Sequence, residues 1–345
     1  MVPGRACCED RDERHDGEGV SAAIIPPRVR RGDTVGIVAP AGPVRFIRLV
    51  RGVERLGDAF KIQLAPSLVT DTPGSAPTVA GPPRDENVPS YLSASDDVRA
   101  AELQAMIENP DVRAIILARG GYGIMRILAK LDPAALKKDP KPIVGFSDAT
   151  ALLAWAHAAG VRGIHGPVIA QLGDLGASHI EHLVRVLTEP TPLGVRPWSI
   201  TSFGRGEHRG PLIAANLTLA SVLVGTPWAL PLENAIAILE EVGERPYEID
   251  RYLTHLTLTG ALANVRAVLL GDFTRCEDLN PPLGKPDPAD AALATILERL
   301  RAAGTAVAAG APIGHGARNE AVPFGAQCVL DLERSTFEIL DPAVA

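Results

Sequence analysis

Between Thr34 and Ala158 the chain alternates short apolar runs with helix-patterned segments, and no other feature constrains the fold as strongly. The run Thr34–Val38 is β-branched and stops at the turn formers Pro40, Gly42 and Pro43. Ser95 then stands where a helix N-cap would, with Asp96 and Asp97 in the first turn and Leu103, Met106 and Ile107 on one face. This predicts a helix ending at Asn109-Pro110. Residues 114–118 form an apolar run too short for a helix, followed by the loop Arg119-Gly-Gly-Tyr-Gly123 and a helical pattern at Ile127, Leu128 and Leu131. Residues 142–146 lead through Ser147 into a helix-like stretch at 149–158. Apolar strands separated by helices predict a parallel sheet covered on both faces, a Rossmann- or flavodoxin-like α/β domain.

The 345 residues are enough for two such units. The first 27 residues mix acidic and basic side chains without the apolar core of a signal peptide, and are expected to be a disordered tail. The first domain is then placed at 28–170. The Pro- and Gly-rich stretch 66–89 inside it shows no sustained period and reads as a surface excursion. Residues 171–210, with GDLGAS, TEPTPLG and SFGRGEHRG, are assigned to a linker. The second domain, 211–345, is expected to be smaller and of mixed α and β type. Its strand candidates are 235–239, ending at Glu240, and 265–270. Pro246 suits the first position of a helix running to about Leu256, and Asp287-Pro288 would open another that stops at Gly304. Residues 327–332 and 336–340 read as a hairpin.

Charge and cysteine usage remove several classes of function. A formal net charge of −7 gives no electrostatic driving force toward nucleic acid or an anionic membrane surface. The longest mostly apolar stretch, 149–161, is interrupted by His157 and is shorter than the roughly 18 residues of a spanning helix. Cys7, Cys8, Cys276 and Cys328 form no C-x-x-C pair and no disulfide framework, so a reducing, cytoplasmic setting is expected.

The segment Gly145-Phe-Ser147-Asp-Ala149 joins an apolar strand to a helix, as a nucleophile elbow does. Gly145 permits a sharp turn, Ala149 permits close helix-to-strand contact, and amides at the helix start would face an oxyanion formed beside Ser147. Ser147 could equally serve as a helix cap. A serine nucleophile needs a base, and among eight histidines His315 stands out because Gly314 and Gly316 make its loop a setting for presenting a side chain. His165, near a strand end, could help shape the cleft. His179 and His182, with Glu181 between them, carry metal-ligand spacing but read better as a solvated helix face. No metal or cofactor is expected. Glu240 is placed to orient His315, with Glu241 as the competitor. The chain order Ser147, Glu240, His315 is also that of the α/β-hydrolases, whose G-x-S-x-G pattern Ala149 breaks.

RGDTVGIVAPAGP, ARGGYG, KPIVGFSDATAL, IHGPV, GTPW, ENAIAILEEVGERPYEIDRYL and IGHGARNEAVPFGA occur in the order found in the LD-carboxypeptidase family, which the chain resembles from about residue 25 to about residue 340. The resemblance implies a serine peptidase with its active site between the two domains, Ser147 as nucleophile, His315 as base and Glu240 as its orienting carboxylate. It further implies backbone oxyanion donors at Asp148 and at the Gly120-Gly121 turn, a murein tetrapeptide or related small peptide as substrate, and a homodimer. A terminal carboxylate calls for an arginine, with Arg119, Arg245, Arg251 and Arg318 as candidates; Tyr122 and Trp228 are further candidate substrate contacts. Two alternatives accompany this reading: the microcin C immunity branch of the family, which cleaves peptidyl acyl-sulfamoyl adenylates, and a non-catalytic muropeptide-binding protein. That immunity branch tends to carry an Asn-Ser-Asn type sequence where this chain has Tyr122-Gly-Ile124. Two departures from the family pattern, Ala41 for serine and Ala214-Ala215 for a Gly-Gly pair, could reshape the cleft.

Overall fold

A computed structural model describes residues 23–69, 86–279 and 290–345. The first sheet is built from β1 (Thr34–Val38), α1 (Phe46–Gly57), β2 (Lys61–Leu64), α2 (Asp96–Glu108), β3 (Val112–Leu117), α3 (Pro133–Lys138), β4 (Ile143–Gly145), α4 (Ala149–Ala158) and β5 (Ile164–His165). The strands pair in parallel in the order β5-β4-β3-β1-β2. Ile115 and Ile116 of β3 are fully buried, as are Leu152 of α4 and Leu103 of α2, so the apolar runs of the sequence are strands covered on both faces. Ser95 caps α2 as its position predicts, its Oγ accepting from Val98 N at 3.3 Å.

Between the sheets lie α5 (Ile169–Leu172), α6 (Ala177–Thr188), β6 (Gly194–Val195) and β7 (Thr201–Ser202). The stretch expected to be a linker is therefore largely structured: α6 buries Ile180, Leu183, Val184 and Leu187 along one face, and α5 packs against α1. The second sheet follows with β8 (Glu207–Asn216), α7 (Leu217–Val222), β9 (Ile236–Val242), α8 (Pro246–Leu258), β10 (Ala267–Thr274), α9 (Ala291–Ala302), β11 (Ala306–Ala309), β12 (Val322–Pro323), β13 (Gln327–Asp331) and β14 (Thr336–Ile339). Its order, β6-β14-β13-β8-β9-β10-β11-β7, places a parallel centre between antiparallel flanks.

Several local expectations are met and others corrected. Pro246 opens α8, and the expected hairpin is β13 with β14. The helical pattern at 127–131 is instead two single 3₁₀ turns, Ile124–Arg126 and Leu128–Lys130. Helix α9 begins at Ala291 behind Asp290; Asp287 and Pro288 lie outside the described residues. His208, expected in the linker, lies within β8. The predicted tail is described only from Ala23, where Ile24 bridges Val161 and Pro26 accepts a hydrogen bond from the Ala345 N–H, so its last residues are tied to the fold. Among the described residues no helix is long and apolar enough to cross a membrane.

The chain also crosses back: β12, from the second half, pairs antiparallel with β5 and becomes the edge of the first sheet. The loop before β12 carries His315, whose ring packs on Phe146 just past the carboxyl end of β4, where Ser147 emerges.

Candidate active site

Ser147 follows β4 at the head of α4 and holds a left-handed backbone, φ +63°. That conformation is costly for a residue with a Cβ and persists only where its surroundings enforce it. Here they do. A Cβ on Gly145 would lie 2.6 Å from the Ala149 Cβ, so strand and helix meet with no room between them. A Cβ on Gly120 would lie 2.9 Å from the Ser147 Cβ and 3.0 Å from its Oγ, so glycine is needed for that loop to approach the hydroxyl. The N–H groups of Asp148 and Gly121 donate to no acceptor among the described residues.

Ser147, Gly120, Gly121 and His315 line one cleft of about 710 Å³. His315 Nδ1 lies 2.7 Å from Glu240 Oε2, and its ring packs on Phe146 with centroids 4.7 Å apart. Glu240 is fully buried within β9, which runs past the expected strand end to Val242. The alternation of side chains along that strand separates it from its competitor. Glu241 faces away, accepting from Asn216 Nδ2, the Thr218 N–H, the Thr218 hydroxyl and the Val242 N–H, each at 2.8 Å. Four donors leave Glu241 a bracing role, while Glu240 reaches the histidine.

A bracket that the sequence did not reveal holds the His315 loop. Asn319, almost wholly buried, accepts from the Gly314 N–H at 3.3 Å and donates to Gln171 Oε1 at 2.8 Å, while Gln171 Nε2 donates to the Gly314 carbonyl at 3.1 Å. Asn319→Leu should lower kcat by about 10 to 100-fold with little change in KM, because it loosens the loop while leaving the cleft walls in place. Steady-state kinetics read this directly.

Asp148 carries the sharpest electrostatic tension. Burial raises its carboxyl to about 6, against the Ile124 N–H that it accepts at 2.9 Å and against nearby Arg99. The folded carboxyl keeps its proton up to about pH 6 and the unfolded one releases it near 3.8, so the folded state binds more protons across that window. Stability contributed by this group therefore falls as pH rises from about 4 to about 6. Asp148→Asn retains the acceptor for Ile124 and should be the more stable protein at pH 7, by on the order of 2 kcal/mol, with the gap closing toward pH 4. Urea unfolding of both proteins across that range measures it.

His165 is fully buried, its Nδ1 3.1 Å from the Ala214 carbonyl, and burial pushes its pKa down to about 3, so it stays neutral beside the cleft. His182 packs its Nε2 against the Ala321 carbonyl at 2.8 Å, which corrects the expected solvated face at that position. Among the described residues no three His, Cys, Asp or Glu side chains are grouped to hold a metal. Of the arginine candidates, Arg119 lines the cleft; Arg245 pairs with Glu248, Arg251 lies over the Tyr247 ring, and Arg318 pairs with Asp272. Tyr122 stacks edge-on with Tyr91, and Trp228 packs on the core; neither lines the cleft. Arg45, Arg48 and Arg275 also line it, and no sequence motif marks them. Arg45 and Arg48 are spaced as neighbours on a helix start, the one local hint available.

Residues 35–166 match the LD-carboxypeptidase N-terminal domain and residues 209–330 the LD-carboxypeptidase C-terminal domain. The chain is 35% identical to a putative carboxypeptidase of Streptomyces coelicolor over 93% of its own length and 97% of that protein. It is 31% identical to the murein tetrapeptide carboxypeptidase of Pseudomonas aeruginosa over 71% of its length and 80% of that protein. The microcin C7 self-immunity protein MccF, solved in complex with aspartyl sulfamoyl adenosine, shares the fold with a TM-score of 0.78 at 22% identity, covering 93% of this chain and 100% of that one.

Proposed function

The chain belongs to the LD-carboxypeptidase family of serine peptidases, and from that premise we propose that it hydrolyses the bond between the L-centre of the third residue and the terminal D-alanine of murein tetrapeptides. The observation that carries this reading is the 2.7 Å contact between Glu240 and His315 in the cleft that also holds Ser147 in its strained turn. Glu240 accepts the Nδ1 proton of His315, which leaves Nε2 free to take a proton.

In the proposed sequence His315 Nε2 removes the Ser147 hydroxyl proton as Oγ attacks the peptide carbonyl. The developing oxyanion accepts hydrogen bonds from the Asp148 and Gly121 N–H groups, each such donor being worth about 3 kcal/mol. Collapse breaks the C–N bond, His315 returns its proton to the departing D-alanine amine, and a water activated by the same histidine then hydrolyses the acyl-serine. No cofactor enters the scheme. Release of D-alanine from tetrapeptides fits a place in cytoplasmic cell-wall recycling. The name of the Pseudomonas relative supports this substrate, whereas the likeness to the immunity protein is one of fold.

Incubation of the pure protein with a murein tetrapeptide, followed by mass spectrometry, should show tripeptide and D-alanine. Turnover of a peptidyl sulfamoyl adenylate in its place would move the protein to the immunity branch, and binding without turnover of either would make it a muropeptide-binding protein.

A further inference from the structure

We infer that the cleft is built for a peptide bearing two carboxylates on opposite sides of the scissile bond, with Arg275 taking that of the leaving residue and Arg45 taking one on the acyl side. This rests on the carboxypeptidase reading above and names the charge pattern of its substrate.

Among the described residues four guanidinium groups line the cleft, those of Arg45, Arg48, Arg119 and Arg275, against the single carboxylate of Asp174, in a chain whose net charge is −7. Arg48 is neutralised by Asp174 at 3.1 Å. Arg119 donates to the Pro43 carbonyl at 2.6 Å, which fixes its position and leaves its charge uncompensated. Arg45 and Arg275 have no ion-pair or side-chain hydrogen-bond partner among the described residues. One terminal carboxylate accounts for one guanidinium, so the excess positive charge asks for a second anion, and a lysine-type side chain would enter a field of its own sign.

The backbone adds an independent sign. Among the described residues four non-glycine residues hold a left-handed φ, and two of them, Asn234 and Ser335, sit in the connections before β9 and between β13 and β14. The other two are Ser147 and Arg275, at φ +55°, and both line this cleft. Strain of this kind collects where a side chain must be aimed.

The walls assign the roles. Arg275 comes from the end of β10, on the same side as His315, Gly316 and Val242, and a histidine that protonates the leaving amine stands beside the leaving residue. Arg45 heads α1 just after Gly42 and Pro43, which hydrogen-bond to Gly120 and Arg119, so it comes from the other sheet than Arg275 and is assigned the acyl portion. Guanidinium suits both tasks because its paired donors match a carboxylate.

The test uses four peptides: glutamate or lysine at the residue donating the scissile carbonyl, each with a free or an amidated C-terminus. The wild-type protein should prefer the glutamyl peptide and the free terminus, each by about tenfold in kcat/KM. Arg45→Gln should abolish the first discrimination and spare the second; Arg275→Gln should do the reverse, with Arg275→Lys retaining part of it. All three substitutions keep an unbranched side chain, and unchanged thermal unfolding shows that the fold is kept. Absence of either discrimination in the wild type, or a variant that erases both together or neither, overturns the proposal. Calorimetric binding of the same peptides to Ser147→Ala reads both discriminations without turnover. Failure of the carboxypeptidase reading, seen as no terminal residue released from any peptide, is thereby distinguished from failure of this one.

Discussion

Ser147→Ala should reduce kcat for D-alanine release by at least about 10⁴-fold, and His315→Ala should do the same, while the affinity for tetrapeptide changes little. The reason is chemical. An alcohol at neutral pH is a weak nucleophile, and both the oxygen and the base that takes its proton are required for acylation. What survives should be the background supplied by the two oxyanion donors and by binding. The alanine side chain accepts the strained backbone no less readily than serine, and the Ser147 hydroxyl makes no hydrogen bond among the described residues, so folding should be unaffected. Quantifying D-alanine with an amino-acid oxidase, alongside circular dichroism, checks both halves.

The second large effect is expected at Glu240. Glu240→Gln keeps the volume in a fully buried position, yet its amide can place N–H₂ against His315 Nδ1 where a carboxylate oxygen now lies at 2.7 Å. A donor there drives the proton to Nε2, the atom that must accept from Ser147, and so selects the wrong tautomer. A loss of about 10⁴-fold in kcat is expected. Glu241→Gln, one residue on, should cost far less activity, because Glu241 faces Asn216 and Thr218 and not the histidine. A comparison of the two variants under identical conditions discriminates the neighbours more sharply than either alone. Equal losses would place the orienting role on the wrong carboxylate.

What the sequence disclosed about this fold was whatever is written locally. The cap at Ser95, Pro246 at the first position of α8, the β-branched runs of β1 and β3 and the hairpin near the end each carry their own signal within a few residues. The strand-to-helix joint at Gly145-Phe-Ser147 was legible for the same reason. The helix predicted at 127–131 failed because its preceding residues are claimed by another partner: the Ile124 N–H donates to Asp148, and Gly123 adopts φ +127°, so the chain closes into tight turns. The opposite error occurred at α6. Ile180, Leu183, Val184 and Leu187 have clean helical spacing, but Gly- and Pro-rich flanks drew the whole stretch into a linker. Neither the return of β12 to the first sheet nor the Gln171–Asn319 bracket has a local signature; each joins residues more than 140 positions apart. Arg275 is of that kind too, since nothing near it in sequence says which cavity it enters.

That Ser147, His315 and Glu240 act as one unit is tested most directly by measuring kcat for the three single alanine variants and the triple variant. Residues that cooperate in one proton transfer lose their function together, so the triple variant should be no slower than Ser147→Ala alone, within a factor of about three. Losses that multiply, leaving the triple variant slower than Ser147→Ala by the product of the other two effects, would show three independent contributors and contradict the account.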